Sequence, residues 1–188
     1  VKTGMLASSL IIQCVARELE RHPVPWLVVD PVMVAKSGDA LLWEDAVDAL
    51  KSLLVPLASV ITPNIPEAEA LTGMKIESDT QVREAAEAFI TMGAKSVVVK
   101  GGHREGPATD LFFDGFSFHE FTSPRIETVN THGTGCTFAS AVAAGLAKGM
   151  SILEAVGLAK EFVTEAIRSS FPLGQGHGPL NHFHKLWE

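Results

Sequence analysis

The stretch Asn130-Thr131-His132-Gly133-Thr134-Gly135-Cys136-Thr137 joins a loop to an apolar helix, predicted over about residues 136–148. Most residues of that helix are Ala, Val, Gly, Phe or Leu, so we expect it to be buried on most sides. Amides at a helix start lack internal partners and carry partial positive charge, and glycines allow an anion to approach the main chain closely. The stretch therefore predicts an anion site at the start of a buried helix. A tight loop before a core helix is the plainer alternative for Gly-Thr-Gly.

Strand and helix patterns alternate along the rest of the chain. Continuous apolar runs typical of buried strands occupy residues 26–33, 58–62 and 96–100. Helical spacing and capping patterns predict helices over residues 9–20, 44–54, 64–73, 78–92 and 151–167. Asp114-Gly115 between two Phe-rich segments predicts a hairpin. The predicted fold is one α/β domain over residues 1–188, a doubly wound, mostly parallel sheet flanked by helices, with an antiparallel hairpin on one side.

Composition narrows the class of protein. The chain has 188 residues, 46% of them hydrophobic, which fits a globular domain with a sizeable core. Its net charge of -7 and lack of a Lys/Arg cluster argue against nucleic acid as a partner. Because no apolar run approaches membrane-spanning length, we expect a cytoplasmic protein with no membrane partner.

The two cysteines lie in different sequence contexts. Cys14 falls in the predicted helix over residues 9–20, and we expect it in the core. Cys136 lies in the glycine stretch and is the candidate functional thiol. We expect no structural disulfide between them.

Polar residues follow the predicted strands where each one ends. Asp30 ends one strand, Asn64 and Glu67 follow the next, and Lys100 ends a third. Ligands gather beyond the carboxyl ends of the strands in open α/β sheets. An acid, an amide, a lysine and a glycine-led helix start together indicate phosphoryl transfer. Taken singly, each has a plainer role, as a loop hydrogen-bond partner, a helix cap, a first-turn carboxylate or a solvated lysine.

Familiar nucleotide and metal motifs are missing from the sequence. There is neither a Walker A pattern nor a Rossmann Gly-x-Gly-x-x-Gly, so the anion site must be of another type. The spacing of the histidines does not match zinc sites, and ordinary loop histidines are favoured at His132, His177, His182 and His184.

Six motifs resemble the ribokinase-like superfamily and, within it, the hydroxymethylpyrimidine and phosphomethylpyrimidine kinases of thiamine biosynthesis. They are Lys2-Thr3-Gly4-Met5-Leu6, Asp30-Pro31-Val32-Met33-Val34-Ala35-Lys36-Ser37-Gly38, Thr62-Pro63-Asn64-x-x-Glu67-Ala68, Val99-Lys100-Gly101-Gly102-His103, Thr131-His132-Gly133-Thr134-Gly135-Cys136-Thr137 and Gly176-His177-Gly178-Pro179-Leu180-Asn181-His182. The resemblance implies ATP-dependent phosphorylation of 4-amino-5-hydroxymethyl-2-methylpyrimidine and then of its monophosphate. It also implies Mg²⁺ as a cofactor, and we expect a homodimer.

The resemblance also implies roles for individual residues. Met5 and Val32 would line the pyrimidine pocket, with Cys136 close to the reacting hydroxymethyl group. Asn64 and Glu67 would organise Mg²⁺, through water, and the phosphates, and Asp30 and Lys100 would contact the nucleotide. The catalytic anion hole would consist of the amides of Gly133, Thr134, Gly135 and Cys136.

Two features depart from the wider superfamily. Many sugar kinases end the loop in Gly-Ala-Gly-Asp with the Asp as base, whereas this chain has Cys136 there. The thiol could act as base through a lowered pKa, or catalysis could rely on positioning and charge neutralisation. Relatives also carry residues before this segment, including a glycine-rich start and a glutamine that contacts the pyrimidine. Since the chain begins at Val1 within an apparent strand, we expect it to be incomplete at its N-terminus.

Two other functions fit the same motifs. A pyridoxal kinase of the same superfamily is the first, because some members have the same Cys-ended loop and a similar hydroxymethyl heteroaromatic substrate. The His-Gly-Thr-Gly-Cys-Thr and Gly-His-Gly-Pro-Leu-Asn-His segments favour the pyrimidine. The second is a ligand-binding remnant that retains the fold without turnover.

Overall fold

The computed structural model describes residues 1–33, 44–102 and 106–186. Their helices and strands are β1 (Lys2–Thr3), α1 (Ser9–Arg21), β2 (Val28–Val29), α2 (Glu44–Ala49), β3 (Val60–Ile61), α3 (Ile65–Thr72), α4 (Asp79–Thr91), β4 (Val97–Lys100), β5 (Ala108–Phe113), β6 (Phe118–Ser123), α5 (Thr134–Ala147) and α6 (Ile152–Arg168). A π-helical turn and a 3-10 turn extend α2 through Leu50–Leu54 and Val55–Leu57. Residues 34–38 of the second motif and His103 of the fourth lie outside the described residues.

The strands form one sheet in the order β1-β2-β3-β4-β5-β6. The pairings from β1 to β4 are parallel, and β4-β5 and β5-β6 are antiparallel. Asp114-Gly115 lies in the turn between β5 and β6, where Asp114 accepts hydrogen bonds from the amides of Phe116 and Ser117. The predicted mostly parallel sheet with an antiparallel hairpin is confirmed.

Helices cover both faces of the sheet because successive side chains of a strand point to opposite sides. One set packs against α1 to α4 and includes Val29, Ile61, Val97, Val99 and Leu111. The alternate set packs against α5 and α6 and consists of Val28, Val60, Val98 and Phe112. Burial on both faces explains why the strands read as continuous apolar runs.

The predicted helix boundaries rest on local capping, which the structure confirms. Capping boxes begin α4 at Ser78 and α6 at Ser151. Asn64 caps α3, and Gly73 closes it in the left-handed conformation, with φ 73°. Within the described ranges, no helix has the length and apolar character needed to cross a membrane.

The expected core position of Cys14 is wrong. Cys14 is exposed, whereas Ile12 and Ala16 are the buried residues of α1. Cys14 lies two positions from each of them, about 200° around the helix, and therefore on the side away from the sheet. Leu10 on the same helix is 74% exposed. The apolar positions of α1 thus extend beyond the stripe that the sheet covers.

Candidate active site

Strand periodicity places two of the predicted site residues, Asp30 and Lys100, on one face of the sheet together with Thr62. Asp30, Thr62 and Lys100 each follow by two positions a valine that faces α5 and α6, namely Val28, Val60 and Val98. A period of two places them on that same face, at the carboxyl ends of their strands. Asp30 is 1% exposed.

The start of α5 lies directly beside these side chains. A methyl group added at Gly135 would lie 3.1 Å from Lys100 Nζ and 4.0 Å from Asp30 Oδ1. The structure therefore brings Asp30, Lys100 and the glycine loop together, although they are distant in the sequence. Because Gly135 has no side chain, the helix start can approach the lysine closely.

The start of α5 differs from those of α1, α3, α4 and α6. Those four helices have side-chain caps at Ser8, Asn64, Ser78 and Ser151. At α5 the cap position is Gly133, which has φ 81° and supplies no side-chain hydrogen bond. Thr134 Oγ1 donates instead to Thr131 O at 2.7 Å. The first-turn amides of Gly135 and Cys136 lack a capping side chain and, as at any helix start, a partner one turn earlier.

Asp30 connects two lysines. Lys100 Nζ lies 3.4 Å from Asp30 Oδ1, and Lys2 Nζ lies 3.5 Å from Asp30 Oδ2. Thr62 Oγ1 donates to Asp30 Oδ1 at 3.4 Å. Sequence reasoning assigned no role to Lys2. The feature that could have identified Lys2 is its place in β1, two residues before Gly4 and beside the strand that ends in Asp30.

Asn64 and Glu67 perform the plainer role expected of them, since they form the capping box of α3. Asn64 Oδ1 accepts the Glu67 amide and Glu67 Oε2 accepts the Asn64 amide, both at 2.8 Å. A bridge between Asn64 and Lys100 ties this helix start to the end of β4. Burial raises the pKa of Glu67, and the positive charge of Lys100 opposes that effect. The same two residues can therefore contribute to a charged site only at a cost in desolvation.

Glu67→Gln raises the melting temperature at pH 7, because it removes a carboxylate whose charged form is disfavoured by burial while leaving an oxygen to accept the Asn64 amide. A pKa above the ordinary 4.5 makes the charged form of Glu67 a penalty for the folded state. The penalty is present at neutral pH and disappears as the pH falls from the raised pKa to the ordinary one. Thermal melts of both proteins between pH 8 and pH 4.5 should therefore converge at the acidic end.

The exposed Glu87 on α4 offers the matched control, since Glu87→Gln removes a carboxylate of the same size without burial. We expect its melting temperature to stay within about 2 °C of the parent protein at each pH. A lower melting temperature for Glu67→Gln at pH 7, or a difference independent of pH, would contradict the assignment.

Cys136 has solvent access, but its sulfur lies against protein atoms and near Asp30. Desolvation raises the pKa of the thiol, the negative charge of Asp30 raises it further, and Lys2 and Lys100 only partly compensate. Of the two alternatives for Cys136, a base with a lowered pKa is the less favoured, because burial and the carboxylate of Asp30 outweigh Lys2 and Lys100. The thiol form therefore predominates at neutral pH.

The two residues expected at the pyrimidine pocket follow β1 and β2, which are neighbours in the sheet. Met5 is 54% exposed and Val32 is half-buried. Val32 N donates to Asp30 O at 2.9 Å. A largely apolar groove of about 740 Å³ begins beside Gly133 and Cys136 and continues along α5, with Phe162 and His182 in its wall.

A mostly parallel sheet with an uncapped, glycine-led helix start beside lysines at its carboxyl edge is typical of α/β proteins that bind phosphoryl groups. The chain belongs to the phosphomethylpyrimidine kinase family, whose model matches residues 1–181.

Two relatives show how similar the sequence is to known proteins. The thiamine biosynthesis bifunctional protein ThiED of Geobacter sulfurreducens is 53% identical over 183 residues, which are 97% of this chain and 37% of that protein. The hydroxymethylpyrimidine/phosphomethylpyrimidine kinase of Bacillus subtilis is 50% identical over 185 residues, 97% of this chain and 68% of the kinase. The chain thus spans about two thirds of the kinase and a smaller share of the bifunctional protein.

Two solved structures have the same fold. The ADP complex of Bacillus subtilis pyridoxal kinase has a TM-score of 0.92 and 42% identity, with 100% of this chain and 71% of the other covered. The phosphomethylpyrimidine kinase of Clostridium difficile has a TM-score of 0.78 and 42% identity, covering 89% of this chain and 68% of the other. The predicted fold class and family resemblance are confirmed.

Proposed function

We propose that the chain is a kinase that transfers the terminal phosphoryl group of ATP to 4-amino-5-hydroxymethyl-2-methylpyrimidine and then to its monophosphate, in thiamine biosynthesis. The family match over residues 1–181 and the Bacillus subtilis relative named for this activity support the substrate, and the name of the Geobacter relative supports thiamine biosynthesis. The geometric observation that carries the proposal is the position of Lys100 Nζ beside Gly135 at the uncapped start of α5. The ADP complex of a structural neighbour supports ATP as the donor.

The proposed mechanism depends on charge neutralisation. The hydroxymethyl oxygen attacks the terminal phosphorus, the bond to the bridging oxygen of ATP breaks, and the proton of the hydroxyl passes to solvent water as ADP forms. A loose transition state places negative charge on the equatorial phosphoryl oxygens. The amides of Gly133, Gly135 and Cys136 and the ammonium of Lys100 would hold those oxygens, and the Thr134 amide would have to give up its 3.4 Å hydrogen bond to Thr131 O to join them. Donors fixed before the reaction lower the barrier without having to reorganise.

Asp30, Asn64 and Glu67 would hold Mg²⁺ and the donor phosphates. The buried Asp30 Oδ2 accepts no hydrogen bond within the described part of the chain, and its ion pair with Lys2 Nζ is long, at 3.5 Å, so this oxygen retains capacity for a ligand. Among the residues that the structure describes, no three His, Cys, Asp or Glu side chains cluster as a metal site. Mg²⁺ commonly binds through one or two carboxylates, several waters and substrate phosphates. When bound, the ion would neutralise phosphate charge.

On the acceptor side, Met5 and Val32 would contact the pyrimidine ring and Cys136 the hydroxymethyl group. Because the pKa of Cys136 is raised, the thiol would position the hydroxyl rather than take its proton.

Cys136→Ser retains activity with kcat within about tenfold of the parent enzyme, since serine keeps a small polar group at the acceptor position. The dependence of kcat on pH should also stay unchanged, because no thiolate is required. Steady-state kinetics between pH 6 and pH 9 would check both expectations. A loss of a thousandfold, or a pH profile that loses one ionisation, would show that Cys136 is the base.

The function is tested by incubating the chain with ATP, Mg²⁺ and the hydroxymethylpyrimidine and measuring ADP and both phosphorylated products. We expect ADP to form in step with the monophosphate and then the diphosphate. Binding of ATP and pyrimidine without ADP formation would instead identify a ligand-binding remnant.

Pyridoxal kinase is the second candidate, favoured by the TM-score of 0.92 to the Bacillus enzyme. Competition between the two acceptors at equal concentration decides between them. We expect the pyrimidine to be phosphorylated with the higher kcat/KM, and the reverse order would favour pyridoxal.

We also propose a homodimer in the cytoplasm, where ATP is available to such a kinase. Exposed apolar side chains on α1, including Leu10 at 74% and Ile11 at 45%, support an association surface. Light scattering would measure the mass of the particle in solution, and a monomer at micromolar concentration would contradict the proposal.

A further inference from the structure

A buried ion pair lies next to the proposed phosphoryl site but takes no part in it. Lys160 of α6 and Asp110 of β5 are 9% and 5% exposed, and Lys160 Nζ lies 2.9 Å from Asp110 Oδ2. Burying two charges costs about as much free energy as their attraction returns, so such a pair is weak evidence for a stabilising role. Its position in the fold points to another role.

Asp110 contacts the turn that follows Lys100. Its Oδ1 accepts the Gly101 amide at 3.0 Å, while its Oδ2 accepts Lys160. The backbone of this turn is closely packed, because a methyl group at Gly101 would lie 1.9 Å from Thr109 O. One carboxylate therefore joins α6 to the end of β4.

Asp110 is also the cross-strand partner of Lys100 in the antiparallel pairing of β4 and β5. Directly opposed residues point to the same face of a sheet, and their charges interact. Lys100 nevertheless pairs with Asp30, at 3.4 Å, and Asp110 pairs with Lys160. The charges alternate in sign along this face, in the order Lys2, Asp30, Lys100, Asp110, Lys160.

We propose that Lys160 is a positioning residue for the nucleotide. By neutralising Asp110 it prevents that carboxylate from drawing Lys100 away, so that Lys100 Nζ remains beside Gly135, where the phosphates would bind. The inference rests on the proposed function, because it assigns Lys100 to the nucleotide. Lys160 itself contacts neither substrate.

The test compares Lys160→Met with the double variant Asp110→Asn/Lys160→Met. Lys160→Met leaves Asp110 charged and unpaired, and we expect the KM for ATP to rise at least about tenfold, with a smaller change in kcat and no change in the KM for the pyrimidine. The double variant removes the unpaired charge but keeps an oxygen for the Gly101 amide. We expect its KM for ATP to return to within about threefold of the parent value. Lys51→Met, at an exposed lysine, is the matched control and should leave both KM values unchanged.

A merely structural role would lower the melting temperature of Lys160→Met and leave its KM for ATP within twofold, which would overturn the inference. A double variant as impaired for ATP as Lys160→Met would overturn it too. If Lys160→Met does not fold, the double variant carries the test, since it contains no unpaired buried charge. A tenfold rise in the KM of the double variant for ATP would then contradict the inference. Should the parent chain phosphorylate neither acceptor, the proposed function fails, while ADP affinities of the same variants, measured by calorimetry, still decide the role of Lys160.

Discussion

Lys100→Met lowers kcat/KM for ATP by about a hundredfold to a thousandfold, the effect expected when one preorganised donor to a developing negative charge is removed. Lys100 Nζ is the cation beside Gly135, and Asp30 holds it there. Methionine keeps the length and apolar stem of the side chain but removes the charge. Initial rates at varied ATP concentration, with the pyrimidine saturating, measure the loss.

The exposed Lys95, just before β4, supplies the matched control. Lys95→Met removes the same charge from the same part of the chain and should leave kcat/KM within about twofold. Circular dichroism should show that both variants are folded. A tenfold or smaller loss for Lys100→Met would mean that Lys100 does not contact the transferring group.

Gly101→Ala lowers the free energy of unfolding by at least about 3 kcal/mol, the second large effect. The added methyl group would lie 1.9 Å from the backbone oxygen of Thr109, and neither backbone segment can move without disturbing the pairing of β4 and β5. For a chain of this length the melting temperature should fall by about 6 to 12 °C. Thermal unfolding followed by circular dichroism measures the change.

Gly102→Ala is the control, because a methyl group at Gly102 has no neighbour within 4 Å among the described residues. Its free energy of unfolding should change by less than about 1 kcal/mol. Equal melting temperatures for the two variants would show that the turn after Lys100 can relax, and that its close packing does not fix the position of the lysine.

Much of the fold could be predicted because it depends on residues close together in the sequence. Ser78 with Gln81 and Ser151 with Glu154 specify helix starts within four residues, and Asp114-Gly115 specifies a hairpin in the same way. The exposure of Cys14 could not be predicted. Several apolar stripes fit α1, and only packing selects the one at Ile12 and Ala16.

The candidate site also has a part that the sequence predicts and a part that it does not. The glycine loop and the polar residues at strand ends were visible in the sequence, and their gathering at one edge follows from parallel pairing. The direction of the pKa shift of Cys136 was not visible in the sequence, because it depends on whether burial and Asp30 outweigh Lys2 and Lys100.

Local sequence determined the helix caps, the strands, the hairpin and the phosphomethylpyrimidine kinase motifs, because each depends on residues within a few positions of one another. Tertiary structure alone decided which charges pair. Lys2 and Lys100 share Asp30, and Lys160 takes Asp110 across 50 positions of sequence. Coulomb interactions depend on distance in space and on burial, neither of which the order of residues specifies until the sheet and its helices have packed.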